Sequence, residues 1–237
     1  MQHRRALLRA AGGLGLAGLA GCAGLANGTT DRPLPDGGND TRPSDREYPP
    51  DATHRSRIAA QDPAPELPVR PRVGLANPYV TDGSPIVARL DVVNETDEAV
   101  VVGEYRPVVF QYVRSADGTL VWYPHSERSI DGEPDRSVPD LTLADDGCWR
   151  LASGIAQTME YGTVEIPAGG MLTAFVGLYV THDAASAGGG SGCFPTGSFR
   201  FEASYATHPD GVASDTGPAA RWGFDLVVEE IDPNATT

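Results

Sequence analysis

The sequence predicts an all-β protein, an immunoglobulin-like β-sandwich of seven to eight strands over residues 73–232. Three observations carry this. Short runs rich in Val, Ile, Phe, Tyr and Trp recur with period-two alternation. Gly, Pro, Asn and Asp clusters punctuate them at short intervals. No amphipathic helix of useful length follows the N-terminal leader. Many short strands with frequent turns read as a sandwich before a barrel.

The strands are expected in this order. Ile86–Val93 (IVARLDVV) ends at the polar turn Asn94-Glu95-Thr96-Asp97, and Ala99–Tyr105 follows. Val108–Arg114 alternates and is read as a strand leading into the hairpin turn Ser115-Ala116-Asp117-Gly118. Thr119–Tyr123 returns from that turn, and Pro124 to Asp146 is a polar insertion. Thr163–Ile166 and Met171–Thr181 flank the turn Pro167-Ala168-Gly169-Gly170, and a Gly/Ser/Ala loop spans Ala184–Gly192. Ser198–Ala206 places Phe199, Phe201, Ala203 and Tyr205 on one face, and Arg221–Glu230 closes the domain before a short tail, 233–237.

The first 21 residues read as a twin-arginine signal peptide. Arg4-Arg5 precede an uncharged, Gly-rich apolar stretch ending in Leu19-Ala20-Gly21-Cys22, a lipobox match. Cys22 is therefore expected to carry lipid, holding the chain on the extracellular face of the cell membrane. A retained transmembrane anchor is the alternative, although the stretch is short and rich in glycine for a spanning helix. The Gly13, Gly15, Gly18 pattern lies inside this leader and follows no strand, so it is no nucleotide site. Residues 22–72 are Pro-, Gly-, Asp- and Arg-rich without periodicity, and are expected to form a disordered tether.

The chain holds 18 basic against 32 acidic residues, and every basic residue is Arg. Removing the leader takes away Arg4, Arg5 and Arg9, leaving 15 Arg and a net charge of −17. Such a chain repels nucleic acid and anionic membrane surfaces. Acidic, lysine-free composition resembles proteins of extreme halophiles, whose carboxylates hardly repel one another because molar salt shrinks the screening length to about 3 Å. Coding bias toward Arg is the competing explanation. Without Lys there is no P-loop, Schiff base or Ser-Lys dyad.

The segment NETDEAVVV, the strand reaching DGTLVW, then IPAGG and PTGSFRFEASY together resemble an immunoglobulin-like domain. More narrowly they resemble the intracellular proteinase-inhibitor domain family of bacilli, which shows an Asn-x-Thr turn, a DG-x-x-VW hairpin, a PGE turn and a PGTY strand in this order. The resemblance covers about Ile86 to Tyr205, with two insertions. Gly170 stands where the family has Glu, and Ser198-Phe199 stand for Thr-Tyr. It implies the fold and, secondarily, protease inhibition.

No catalytic constellation emerges. His54, His125, His182 and His208 show no ligand spacing, and neither Cys148 nor Cys193 has the following His and Met of a copper site. No metal and no cofactor is expected, although loop carboxylates leave a calcium site open. Ser191 in GGSGC departs from the nucleophile elbow at its fifth residue, and Asp145-Asp146 and Glu229-Glu230 read as solvated surface. Trp122, Trp149 and Trp222 read as core, with an exposed carbohydrate platform as the alternative. Cys148 and Cys193 are an even pair in an exported context and are expected to form a disulfide, two free buried thiols being the alternative. The sequons at Asn27, Asn39, Asn94 and Asn234 are candidate glycan acceptors. The function expected is a non-enzymatic surface binding or interaction module for an unknown protein or small-molecule ligand. The alternatives are a proteinase inhibitor or a metal-dependent surface hydrolase.

Overall fold

A computed structural model describes residues 32–35, 48–125, 128–130, 133–135, 148–155, 162–186, 194–208 and 217–232. The leader, Cys22, Asn27, Asn39, Asp145-Asp146, Ser191, Cys193 and Asn234 lie outside the described residues.

The strands are β1 (His54–Gln61), β2 (Val69–Asn77), β3 (Tyr79–Val80), β4 (Val87–Asn94), β5 (Val100–Gly103), β6 (Leu120–Pro124), β7 (Arg128–Ile130), β8 (Glu133–Asp135), β9 (Thr163–Ile166), β10 (Met171–Val180), β11 (Gly197–His208) and β12 (Ala219–Glu230). They form two antiparallel sheets. The first runs β3-β1-β12-β11-β5-β9; the second runs β2-β4-β10-β7-β8, with β6 also paired to β10. β5, β11 and β12 are joined as the C, F and G strands of an immunoglobulin sandwich, and β2, β4, β10 and β6 as its A, B, E and D strands. The all-β sandwich is thus the fold, with more strands than the seven to eight expected.

Alternation buries one face of each sheet against the other. β11 contributes Phe199, Phe201 and Ala203, β12 contributes Trp222, Phe224 and Leu226, and β10 contributes Leu172, Val176 and Leu178 to one core. At its centre the Trp122 and Phe201 rings lie 5.4 Å apart, and Phe201 and Phe224 5.6 Å. Trp122 and Trp222 are core residues and Trp149 is half-buried, so among the described residues no tryptophan offers an exposed platform.

Three expectations are corrected. The tether does not extend to residue 72: β1 and β2 belong to the sandwich, and residues 32–35 lie against its second sheet. In β1 the inward positions are His54, Ser56 and Ile58, so polar side chains mask the alternation. In β2 the buried Val69, Pro71 and Val73 alternate with arginines.

The second correction concerns Val108–Arg114, which does not form a continuous strand. Glu104 turns into the left-handed region, at φ 45°, and starts the short helix α1 (Tyr105–Val108). Arg106 clasps the Glu104 carboxylate with Nε and Nη2, at 2.5 and 2.8 Å. Val108, Val109 and Phe110 are all buried, packed as a turn rather than as part of a ladder. Phe110 and Tyr112 also have positive φ, and Pro107 lacks a ladder donor. Only the end of this stretch pairs, Tyr112 and Val113 exchanging backbone bonds with Trp122. The Ser115–Gly118 turn forms as expected, with the Leu120 N–H donating to Ser115 Oγ and Gly118 at φ 75°.

The third correction is Asn94. Its side chain is fully buried, and Nδ2 lies 2.7 Å from the Glu98 carbonyl, 3.0 Å from that of Ile166 and 2.9 Å from that of Pro167. Oδ1 accepts from the Thr96 N–H and hydroxyl, at 3.0 and 2.7 Å. The sequon is an Asx turn: the atom a glycan would bond is walled in by three carbonyls. Asn94→Ala is expected to cost about 2 kcal/mol or more, because buried carbonyls lose their donor. Denaturant unfolding measures it, and the peptide carrying Asn94 should have its unmodified mass. A loss below about 0.5 kcal/mol, within the range of ordinary surface substitutions, would contradict this role.

Candidate functional site

The second sheet departs from the pattern of one buried and one solvated face. On β6, Leu120 and Trp122 point to the core, so Val121 and Tyr123 point outward. On β10, Tyr179 does the same. These outward residues are nevertheless buried. With Leu151 they form a second apolar cluster, joined by Tyr112, Trp149 and Ile155. Tyr112 and Tyr123 meet edge to face at 5.2 Å, Tyr123 and Tyr179 at 6.3 Å, and Trp149 and Tyr179 at 6.2 Å.

What covers the cluster is the return limb of the insertion. The chain leaves β6 at His125 and rejoins the sheet at Trp149–Leu151. There the Val180 N–H donates to the Trp149 carbonyl and the Leu151 N–H to the Val180 carbonyl, at 2.9 and 3.0 Å. This limb takes the edge of β10 beyond Gly177, where the pairing with β4 ends. Trp149 fixes it further by donating from Nε1 to the Thr81 carbonyl at 2.8 Å. The chain at Trp149–Leu151 is therefore held to the sheet by backbone pairing, an indole hydrogen bond and the aromatic cluster together.

Beside that base sits Gly177. A Cβ there would fall 2.9 Å from the Tyr179 hydroxyl oxygen and 3.2 Å from His125 Nδ1. The glycine thus lets a phenol and an exposed imidazole lie over one point of the sheet. Burial, and then the neighbouring Tyr123, push the Tyr179 hydroxyl up to about 12, so it is a neutral donor and acceptor. The arrangement suits close packing of the phenol and imidazole over the sheet.

The histidines do not converge. His125 donates its backbone N–H to Phe175, while His182 follows the far end of β10, five residues or about 16 Å along the strand. His208 ends β11 in the other sheet, opposite Val101. Among the described residues no group of three or more His, Cys, Asp and Glu could hold a metal. Glu229 pairs with Arg55 at 3.0 Å on the surface, and Glu230 lies opposite His54. The aromatic base and Gly177 escape the sequence reading, although a lone Gly within the strand FVGLY signals a close approach.

His54 has a structural position. Its Nδ1 lies 3.0 Å from the Thr53 hydroxyl and its ring 5.8 Å from that of Phe194. Compared with family models, with characterised proteins and with solved structures, the chain matches none.

Burial holds the His54 imidazole below its ordinary value of 6.5, against the smaller opposing effects of the Glu230 carboxylate and a hydrogen bond to the Phe194 backbone. The folded state therefore binds this proton less readily than the unfolded chain. The contribution is whole above pH 6.5 and declines as pH falls below it. Unfolding curves between pH 7.5 and 5 should show wild type losing more stability than His54→Gln; parallel losses would refute the assignment.

Proposed function

We propose that the chain is an exported lipoprotein, held on the outer face of the cell membrane by lipid on Cys22, whose sandwich is a non-enzymatic binding module. The ligand is a protein or small molecule taken at the insertion between His125 and Cys148. One observation supports this reading: Tyr123 and Tyr179 on the outward face of β6 and β10 pack with Tyr112 and Trp149, so an aromatic cluster lies where the chain returns from the insertion at Trp149–Leu151. Binding loops work from rigid platforms, and Tyr and Trp are the residues that combine packing area with a polar tip. The lipobox and twin arginine support the location, and the acidic, lysine-free composition supports a high-salt setting. Asn27, Asn39 and Asn234 are proposed glycan acceptors.

A second reading, a proteinase inhibitor, draws support from turn chemistry at the places the resemblance requires. Asn94 makes an Asx turn, Asp117-Gly118 a hairpin, and Gly169 and Gly197 have positive φ. The two readings part on whether proteases of the subtilisin or trypsin type are inhibited by the purified domain.

Cys148 is proposed to pair with Cys193. The pairing is supported by an even number of cysteines beyond Cys22 in an exported context, and Phe194, next to Cys193 in the sequence, is buried against His54. Such a bridge would tie the insertion's return limb to the start of β11, with a loop-closure contribution of about 4 kcal/mol. Alkylation of the unreduced chain should leave both sulfurs unlabelled; labelling of both would refute the pair.

The binding reading is tested on cells with a photo-crosslinker at position 125. Reproducible crosslinks to one species are expected, and they should vanish when residues 126–147 are replaced by a Gly-Ser linker in a chain that still folds. Cys22→Ser should release the protein from the membrane. Absence of crosslinks, or their persistence in the linker variant, counts against the module. Normal membrane retention of Cys22→Ser counts against the anchor.

A further inference from the structure

Asp91 is a carboxylate in the middle of β4 with no exposure at all, although it faces away from the core. Its Oδ1 accepts from the Thr173 hydroxyl at 2.8 Å and from Arg89 Nε at 2.9 Å. Its Oδ2 accepts from the backbone N–H of Leu34 at 2.8 Å. The segment Arg32–Pro35 lies across the outer face of the second sheet, and its backbone is read group by group. Arg72 Nη1 donates to the Leu34 carbonyl at 2.6 Å, and Arg89 Nη2 donates to the Arg32 carbonyl at 2.7 Å. The Leu34 side chain rests on Gly74, where a Cβ would come within 3.2 and 3.3 Å of its two methyls.

The chemistry defines a ligand. Two guanidiniums, whose side chains keep only 14% and 12% of their exposure, meet two carbonyls, and one carboxylate meets one N–H. Pro33 and Pro35 have no N–H, so the Leu34 amide is the single backbone donor of residues 33–35, and Asp91 takes it. The prolines hold the backbone extended before binding, which lowers the ordering cost. The glycine admits an aliphatic knob that any larger residue at position 74 would displace. This is a site that reads an extended backbone with an aliphatic residue between prolines, and it stands independently of the membrane anchor.

We propose that this face is a peptide-binding site, filled in cis by the chain's own Arg32–Pro35, and that the same segment of a second copy of the chain can exchange into it. Covalent linkage supplies the cis segment at an effective concentration in the millimolar range, so the site is normally occupied.

Binding of a labelled peptide spanning residues 30–37 tests this. Leu34→Asp in the full chain should expel the strap, because it removes the methyls that rest on Gly74 and puts a charged, hydrated carboxylate in their place. The wild-type peptide should then bind that variant at least about tenfold more tightly than it binds the wild-type chain. A peptide carrying the same L34D change should not bind. A folded Leu34→Asp chain with no gain in peptide binding overturns the proposal. If that variant fails to fold, hydrogen exchange on the wild-type chain decides. The Leu34 amide should be protected, and protection should fall as peptide is raised to about 10 mM. Exchange at the rate of an unstructured chain, or protection unmoved by peptide, overturns it equally.

Discussion

A single buried amide stands where the two sheets must be joined. β4 lies in the second sheet and β5 in the first, while β9 lies in the first and β10 in the second. Both crossings occur at the same end of the sandwich, and Asn94 Nδ2 reaches carbonyls of both. The backbone completes the joint: the Asn94 N–H donates to the Gly170 carbonyl, and the Gly169 N–H to that of Thr96. No apolar residue could do this, since three carbonyls converge where water is excluded. The register of β4 on β10, and hence the facing of the whole second sheet, follows from this corner being closed in one way.

Once that facing is set, the second sheet has two surfaces to cover rather than one. Its inner face meets the first sheet. Its outer face bears Asp91 and Thr173 at one end of β10 and Tyr179 with Tyr123 at the other. Two chain segments from distant parts of the sequence complete a partial third layer: Arg32–Pro35 over the polar end, and the insertion's return limb over the aromatic end. The two coverings use different physics. One is a set of charge-assisted hydrogen bonds to backbone, which fixes orientation. The other is edge-to-face aromatic packing, which stabilises by excluded water.

The parts legible in the sequence are those whose cause is local. The Asp117-Gly118 hairpin, the Pro167–Gly170 turn and the alternation of Phe199, Phe201 and Ala203 are properties of a few neighbouring residues, and each lies as expected. Where the cause is tertiary, pattern misleads. Val108–Arg114 alternates well enough, yet Pro107 and the left-handed Phe110 and Tyr112 bend it into turns, and only its end pairs with Trp122. His54 and Ser56 look like tether residues until β12 and Phe194 are placed beside them. Asn94-Glu95-Thr96 reads equally as a glycan acceptor and an Asx turn, and only burial separates the two. The aromatic base could not be assembled from sequence, because Trp149 and Leu151 reach Tyr179 only after an insertion has turned back. Arg89 and Asp91 interrupt the apolar run IVARLDVV, but nothing local says that a distant segment meets them.

The docked strap changes the geometry available to an anchored chain. Were the first fixed point His54, the span from Cys22 would be 32 residues and could extend about 110 Å. With Arg32 seated on the second sheet it is 10 residues, and the maximum is about 35 Å. A lipid on Cys22 would then hold the sandwich on a short leash, its second sheet on the tethered side and its first sheet turned outward. Releasing the strap would roughly triple the permitted altitude and free the domain to swivel, so the same four residues that fill a cleft would also govern how far from the bilayer the domain can search.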